Sequence, residues 1–393
     1  MNRSFSLWLW TVAAFYAFFV FGFSDNLKGP VLPALLRDLQ IDYTTGSSIL
    51  LCLYIGFMAA TLTTGPIADR LGKRAVLQIA ALSLAAGVGG FSSFQAPLWL
   101  GLSMFVLGYG LGAVELGGSA LIIELHPNDK GRYLSLVSVM HSIGSMAAPA
   151  FAGLLLSSGA SWRTVYRWDL PLIGILLALT AFHLSPVTRT NPGRPLDLQH
   201  ITQTAFTPRM VWFYTAIIAY VAAEIGLAAW LVEYLQTVRA QSIQSSNTAL
   251  SLYFGLMMAG RFAGSFFLER LGYVRSILLA MLASGICLVF GLVGPALALS
   301  VVGFFFSIVF PAITAAASED LTENANTVLG LLFTFAGLGG MVGPWLVGFA
   351  ADHLGIAHAF WLNLVSILVT LLAAVFLLGL RSRISPEHAK HIE

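Results

Sequence analysis

Gly65-Pro-Ile-Ala-Asp69-Arg70-Leu71-Gly72-Lys73-Arg74 is answered 200 residues later by Ser265-Phe-Phe-Leu-Glu269-Arg270-Leu271-Gly272. Each stretch sets an acid, an arginine and a glycine in the same order at the end of an apolar run. A second pair recurs at an offset of 195 residues: Pro149-Ala-Phe-Ala-Gly153, ending at Gly159, and Pro344-Trp-Leu-Val-Gly348, ending at Gly355. An acid also falls at the matching depth in the first helix of each half, Asp25 and Glu224. The chain therefore reads as two halves of one plan. Parallel repeats of this kind are built around an axis along the membrane normal, with a substrate cavity between them.

The composition makes that plan a membrane one. Of 393 residues, 58% are hydrophobic and 10% charged, with a mean hydropathy of +0.83. A soluble domain carries about a quarter charged residues to cover its surface. Runs such as Leu279–Leu299 and Phe360–Leu380 are apolar, uncharged and long enough to cross a bilayer. The expected fold is an all-α polytopic membrane protein of 12 transmembrane helices in two six-helix pseudo-symmetric bundles. Spans are expected at 8–35, 46–68, 74–94, 97–125, 131–158 and 168–186, then at 209–236, 246–268, 273–292, 294–317, 326–352 and 357–381. This divides the chain into an N-terminal bundle (1–186), a polar linker with prolines (187–208), a C-terminal bundle (209–381) and a tail (382–393).

Lys and Arg set the orientation. With the N-terminus inside, the inner loops hold Arg70, Lys73, Arg74, Lys130, Arg132, Arg189, Arg194, Arg209, Arg270 and Arg275, against Arg37, Arg163, Arg167 and Arg239 outside. That is the positive-inside pattern, with both termini cytoplasmic. The first apolar stretch runs from Leu7 to about Leu35, too long for the core of a cleavable signal. The short loops and tails suit a bacterial inner (plasma) membrane. Cys52 and Cys287 lie in apolar segments as small core residues. The basic residues form no patch for nucleic acid. There is no phosphate-binding Gly-Lys-Ser/Thr loop, no metal-ligand cluster and no soluble domain to carry catalysis. The expectation is a transporter, not an enzyme, without cofactor or metal, monomeric, in contact with lipids and driven by protons or sodium rather than ATP.

The Gly65–Arg74 stretch resembles the loop signature that major facilitator superfamily proteins carry between their second and third helices. Gly allows close helix packing, and an acid at a helix end can pair with Arg across a cytoplasmic gate. The resemblance thus implies gating by Asp69, Arg70 and Arg74, and by Glu269 and Arg270 in the repeat. Three further stretches resemble the fucose–galactose–glucose/proton symporter family. These are Gly110-Leu-Gly-Ala-Val-Glu115-Leu-Gly-Gly (the fourth helix), Tyr220-Val-Ala-Ala-Glu224-Ile-Gly with Trp230-Leu-Val-Glu233-Tyr234 (the seventh) and Gly303-Phe-Phe-Phe-Ser-Ile-Val-Phe-Pro311-Ala-Ile (the tenth). The resemblance implies a role for Glu115 in sugar and proton binding. The sequence also departs from the family. Asp25-Asn26-Leu27-Lys28-Gly29 puts Gly29 at the proton-carrying aspartate position and an acid four residues earlier, while the sugar-contacting amide position of the fifth helix is His141.

A charge at the bilayer centre costs at least about 2.5–3.5 kcal/mol on insertion scales, so each one asks for a reason. Asp25 and Lys28 share a helix face. They either neutralise each other or line the cavity, with Asp25 as a proton or cation site. Asn26 offers donors and an acceptor to a hydroxylated ligand. Glu115, among glycines that bring a neighbour close and exclude water, suits proton uptake and release; a fixed interhelical hydrogen bond is the alternative. His141 joins Ser138, Ser142 and Ser145 in a polar stripe, facing either the cavity or a neighbouring helix. Glu224 mirrors Asp25, while Glu233 and Glu124 are expected near the surfaces. Arg261 is expected to snorkel or to pair with a carboxylate. Trp230, Tyr234, Phe306 and Phe310 are candidates for the apolar wall of a sugar site. The substrate-binding set is accordingly Asn26, Glu115, His141, Glu224, Trp230 and Phe310, with coupling at Asp25 and Glu115. Two functions compete: proton- or sodium-coupled uptake of a sugar or similar polar solute, and proton-driven export of drugs or other amphipathic compounds. The clustered polar residues favour the first.

Overall fold

A computed structural model describes residues 3–181, 206–264, 266–319 and 325–388. Much of the expected linker and the end of the tail lie outside them, as do Ser265 and the side chain of Glu269. Among the described residues all regular structure is helical. The first half contains α1 (Arg3–Asn26), α2 (Lys28–Leu39), α3 (Tyr43–Leu71), α4 (Lys73–Phe91), α5 (Pro97–Ala113), a π-helical turn (Val114–Gly118), α6 (Ser119–Leu125), α7 (Lys130–Ser157), α8 (Trp162–Arg167) and α9 (Asp169–Ala181). The second holds α10 (Pro208–Thr237), α11 (Ile243–Gly264), α12 (Leu268–Leu271), α13 (Tyr273–Val293), α14 (Leu297–Phe306), α15 (Val309–Glu319), α16 (Ala325–Leu354), α17 (Ile356–Ala359) and α18 (Leu362–His388).

Among the described residues, eleven stretches are long and apolar enough to cross a membrane, beginning with Leu7–Leu39 and ending with Ile356–Leu380. The remaining expected span, 246–268, corresponds to α11. It has the length but opens on Gln244, Ser245, Ser246, Asn247 and Thr248 and carries Arg261, which dilute its hydropathy. The first span is broken at Leu27, where α1 hands over to α2. Pro30 and Pro33 explain the break: neither can donate the amide hydrogen that would continue the helical ladder. Asp42 caps α3, its carboxylate accepting from Thr45 N at 2.7 Å. Those Thr45 hydrogen bonds hold the Asp42 carboxyl below the usual carboxylate range.

The internal repeat is visible in the backbone. Gly72, Gly159, Gly272 and Gly355 are the glycines with positive φ among the described residues, at 87°, 89°, 81° and 76°. They are the four that close the repeated stretches, and each turns the chain sharply between two helices. A Cβ is strained in that conformation, which is why glycine recurs there.

Two compact units emerge from the packing. One holds the first half together with Ala228–Gly255 and Gly348–Ile356; the other holds the rest of the second half. In the first unit α5 packs along α3 and α4, while α1 runs along α7 and touches α9 and the π turn. Small residues make this possible. A Cβ at Gly108 would strike the Leu53 carbonyl, one at Gly144 the Phe19 carbonyl, and one at Gly22 the His141 carbonyl. In the second unit α13 packs on α14 and α18, and Gly339 and Gly343 bring α16 onto the α10 backbone at Ile218 and Ala222.

Candidate functional site

The break in the first span sets the polar residues of the first unit. Lys28 is buried, with its Nζ 2.5 Å from Asp25 Oδ1 and 2.8 Å from the Asp25 carbonyl. Its charge also lies 5.4 Å from the centre of the Tyr54 ring. The expected pair therefore forms, and it retains 17% exposure on the Asp25 side. Asn26 donates to Gly22 O at 2.9 Å and to Ser145 Oγ at 3.0 Å. Ser145 in turn donates to the His141 carbonyl. The His141 ring meets Phe21 edge-on at 4.6 Å, which keeps it against α1. Asn26, His141, Ser142 and Ser145 thus share the α1–α7 seam beside the Asp25–Lys28 pair.

Glu115 is half-buried on the π turn. An extra residue in a helical turn re-aims its side chains, and such turns cluster at functional sites. The glycines around it pack as their spacing predicts: Gly112 against Phe57 and Ala60, Gly117 against Val76, Gly118 against Phe18 of α1. Helix α1 is therefore the common neighbour of the Glu115 turn and the His141 seam.

In the second unit Glu224 lies beside Tyr220 and within electrostatic reach of Arg261. Arg261 also approaches Met257 Sδ at 3.6 Å. Phe310 stacks on Phe333 at 5.7 Å, and Phe306 is buried beneath Tyr220, whose hydroxyl donates to the Phe306 carbonyl at 2.8 Å.

A further polar cluster of the first unit joins α3, α10 and α16. Asp352 of α16 accepts from Tyr43 N at 2.9 Å, Thr44 N at 2.7 Å and Thr44 Oγ1 at 2.5 Å, a carboxylate on the N-terminus of α3. Glu233 is buried, and Tyr43 Oη (3.0 Å) and Thr237 Oγ1 (2.7 Å) both donate to it. Trp230 is wholly buried, edge-on to Tyr43 at 5.5 Å and pressed on Gly348; Tyr234 is buried too. The contacts obey the repeat. Gly348 of α16 packs on Ser47 of α3, and its counterpart Gly153 of α7 packs on Asn247 of α11, the residue that matches Ser47 at the 200-residue offset. Asp352 takes Thr44, and its counterpart Ser157 reaches Gln244, which matches Thr44, at 3.3 Å. Sequence reading passed over Asp352, although Gly348, Asp352 and Gly355 keep the spacing of Gly65, Asp69 and Gly72.

At the signature turn, Asp69 and Arg70 are exposed, as is Arg270 in the repeat. Arg74 places its guanidinium 4.9 Å from the Trp10 ring centre. The neighbouring Lys73 pairs with Glu124, which is exposed, at 2.9 Å.

These features match known proteins along nearly the whole chain. The family model of the Major Facilitator Superfamily matches residues 14–340. A glucose/galactose transporter of Brucella abortus biovar 1 (strain 9-941) is 26% identical over 370 residues, covering 88% of this chain and 89% of that protein. Among solved structures, a variant of the nucleoside transporter NupG superposes with a TM-score of 0.81 at 14% identity, covering 94% of this chain and 99% of that one. The E. coli fucose:proton symporter FucP superposes with a TM-score of 0.63 at 18% identity, covering 93% and 98%. The chain belongs to the Major Facilitator Superfamily. It is an integral membrane transporter with that superfamily's twelve-helix fold, and not an enzyme.

Proposed function

We propose that this transporter takes up a hexose or similar small polar solute together with protons, by alternating access, with Asp25 and Glu115 in the coupling machinery. The observation that carries this reading is the polar α1–α7 seam. There the Asp25–Lys28 pair, Asn26, His141 and Ser145 meet on a span broken by two prolines. A hydroxylated ligand needs such convergent donors and acceptors, and an amphipathic one does not. Glu224 and Phe310 are assigned as substrate-binding residues of the second half, with Arg261 beside Glu224. The glucose/galactose transporter of Brucella supports a sugar, and FucP supports proton coupling.

Both termini are assigned to the cytoplasm of a bacterial inner membrane, so the cluster around Asp352 faces outside and represents an outer gate in its closed state. Trp230 and Glu233 then belong to that gate in this state. Asp69, Arg70 and Arg74, with Glu269 and Arg270, are assigned to the inner gate, and residues 1–186 and 209–381 to the two bundles that rock.

The test is uptake of labelled hexoses into proteoliposomes under an inward proton gradient, comparing wild type with Glu115→Gln. Uptake that a protonophore abolishes, and that the variant loses, is the expected result. Absence of sugar uptake under both proton and sodium gradients would overturn the reading in favour of export of amphipathic compounds.

A further inference from the structure

Asp169, the first residue of α9, has 0% exposure, and neither carboxyl oxygen meets a hydrogen-bond partner among the described residues. Ser24 of α1 stands within reach of it, 1% exposed, and Tyr166 of α8 is wholly buried close by; neither hydroxyl has closed a hydrogen bond. Tyr166 lies within electrostatic reach of both Asp169 and Asp25. Tyr16, the other phenol near the carboxyl, is held by the Leu172 carbonyl at 3.0 Å.

The surrounding cations are engaged elsewhere. Lys28 is taken by Asp25, and Arg167 reaches the Ser92 carbonyl at 3.4 Å. Helix α4, which packs on α9, carries Lys73 and Arg74 at its opposite end. An ionised carboxylate left in such a place costs several kcal/mol. The repeat supplies a control. Asn363, 194 residues on, occupies the corresponding place in α18; it is 1% exposed, with its amide donating to Phe360 O at 2.9 Å and its oxygen facing Gly226 of α10. The fold is thus satisfied by a neutral amide of the same shape. The first half instead puts a titratable group there, with two hydroxyls that are not engaged elsewhere and, among the described residues, no counter-ion.

We propose that Asp169 is a second proton-carrying site of the transporter, buried behind α1. The proton sits on a carboxyl oxygen and its O–H is donated to Ser24 Oγ; it passes to water when α1, already broken at Leu27, shifts and uncovers the carboxyl. Ser24 precedes Asp25, so one movement of α1 disturbs both the proton and the Asp25–Lys28 pair. This rests on the proton-coupled reading above and adds a site to it.

The experiment uses the purified full-length protein. Infrared difference spectra across a pH titration are expected to show a protonated-carboxyl band in wild type that Asp169→Asn removes, whether or not any sugar is carried. In proteoliposomes the same variant is expected to keep sugar exchange in the absence of a gradient. Its accumulation under a pH step of about one unit should fall about tenfold for the one proton lost. Should Asp169→Asn fail to fold, Ser24→Ala, which removes the acceptor alone, must shift that band. A band unaltered in the variants, a site filled by sodium with no pH response, or exchange and accumulation falling together would overturn the proposal. A wild type that carries no sugar overturns the function reading and leaves the band to decide on Asp169.

Discussion

Asp25 and Lys28 neutralise each other in a region where each charge alone would be costly, and the geometry decides how much depends on them. Breaking a buried pair by removing one partner typically costs about 3–5 kcal/mol, because the remaining charge is left uncompensated. Asp25→Asn should therefore lower thermal stability in detergent sharply, since Lys28 keeps only 6% exposure. The double change Asp25→Asn with Lys28→Met should recover most of that stability without recovering uptake. If the double variant transports like wild type, the pair is structural and the proposed coupling role of Asp25 falls. The pair itself was legible from its spacing of three residues. Its neighbour Asp169 was not, because an acid at a span boundary looks interfacial until the packing of α1 and α8 encloses it.

Helix contacts in a bilayer gain little from hydrophobicity and depend on how closely the backbones approach. The α1–α7 seam is the case in point: Gly22 faces the His141 carbonyl, and Gly144 faces the Phe19 carbonyl and Phe23 N. Gly144→Val would push α7 off α1. Overpacking of this kind costs about 1–3 kcal/mol, read as a lowered unfolding temperature. It should also separate Asn26 from Ser145 and so weaken substrate binding, measured by the concentration dependence of uptake. Gly330, where a Cβ meets open space, is the matched control, and Gly330→Ala should change neither. Which glycines stand at such crossings could not be chosen from 38 of them by composition.

The closing contacts of the first unit belong to the whole molecule, because they join the first half to Ala228–Gly255 and Gly348–Ile356 of the second. Their energy is concentrated where Asp352 meets the exposed amides of α3. A carboxylate at an exposed helix N-terminus is worth about 0.3–1 kcal/mol. Asp352→Ala should accordingly shift the gate toward opening by up to about fivefold. The measurement is thiol labelling by a membrane-impermeant reagent at Ser47→Cys, with Cys52 and Cys287 replaced by alanine. Ser47 is 0% exposed here, so labelling reports opening. Unchanged labelling in Asp352→Ala would remove Asp352 from the gate.

The helical membrane fold was written in the sequence, since apolar runs of spanning length leave the backbone no other way to satisfy its hydrogen bonds in a bilayer. So was the duplication, because repeated turns need glycine at the same four places, and so was the Asp25–Lys28 pair, whose members are only three residues apart. The burial of Asp169, the bond from Tyr43 to Glu233 and the capping of α3 by Asp352 were decided only by the tertiary structure. Those contacts join residues more than a hundred positions apart, Tyr43 with Glu233, Thr44 with Asp352 and Ser24 with Asp169, and no local pattern along the chain carries that information.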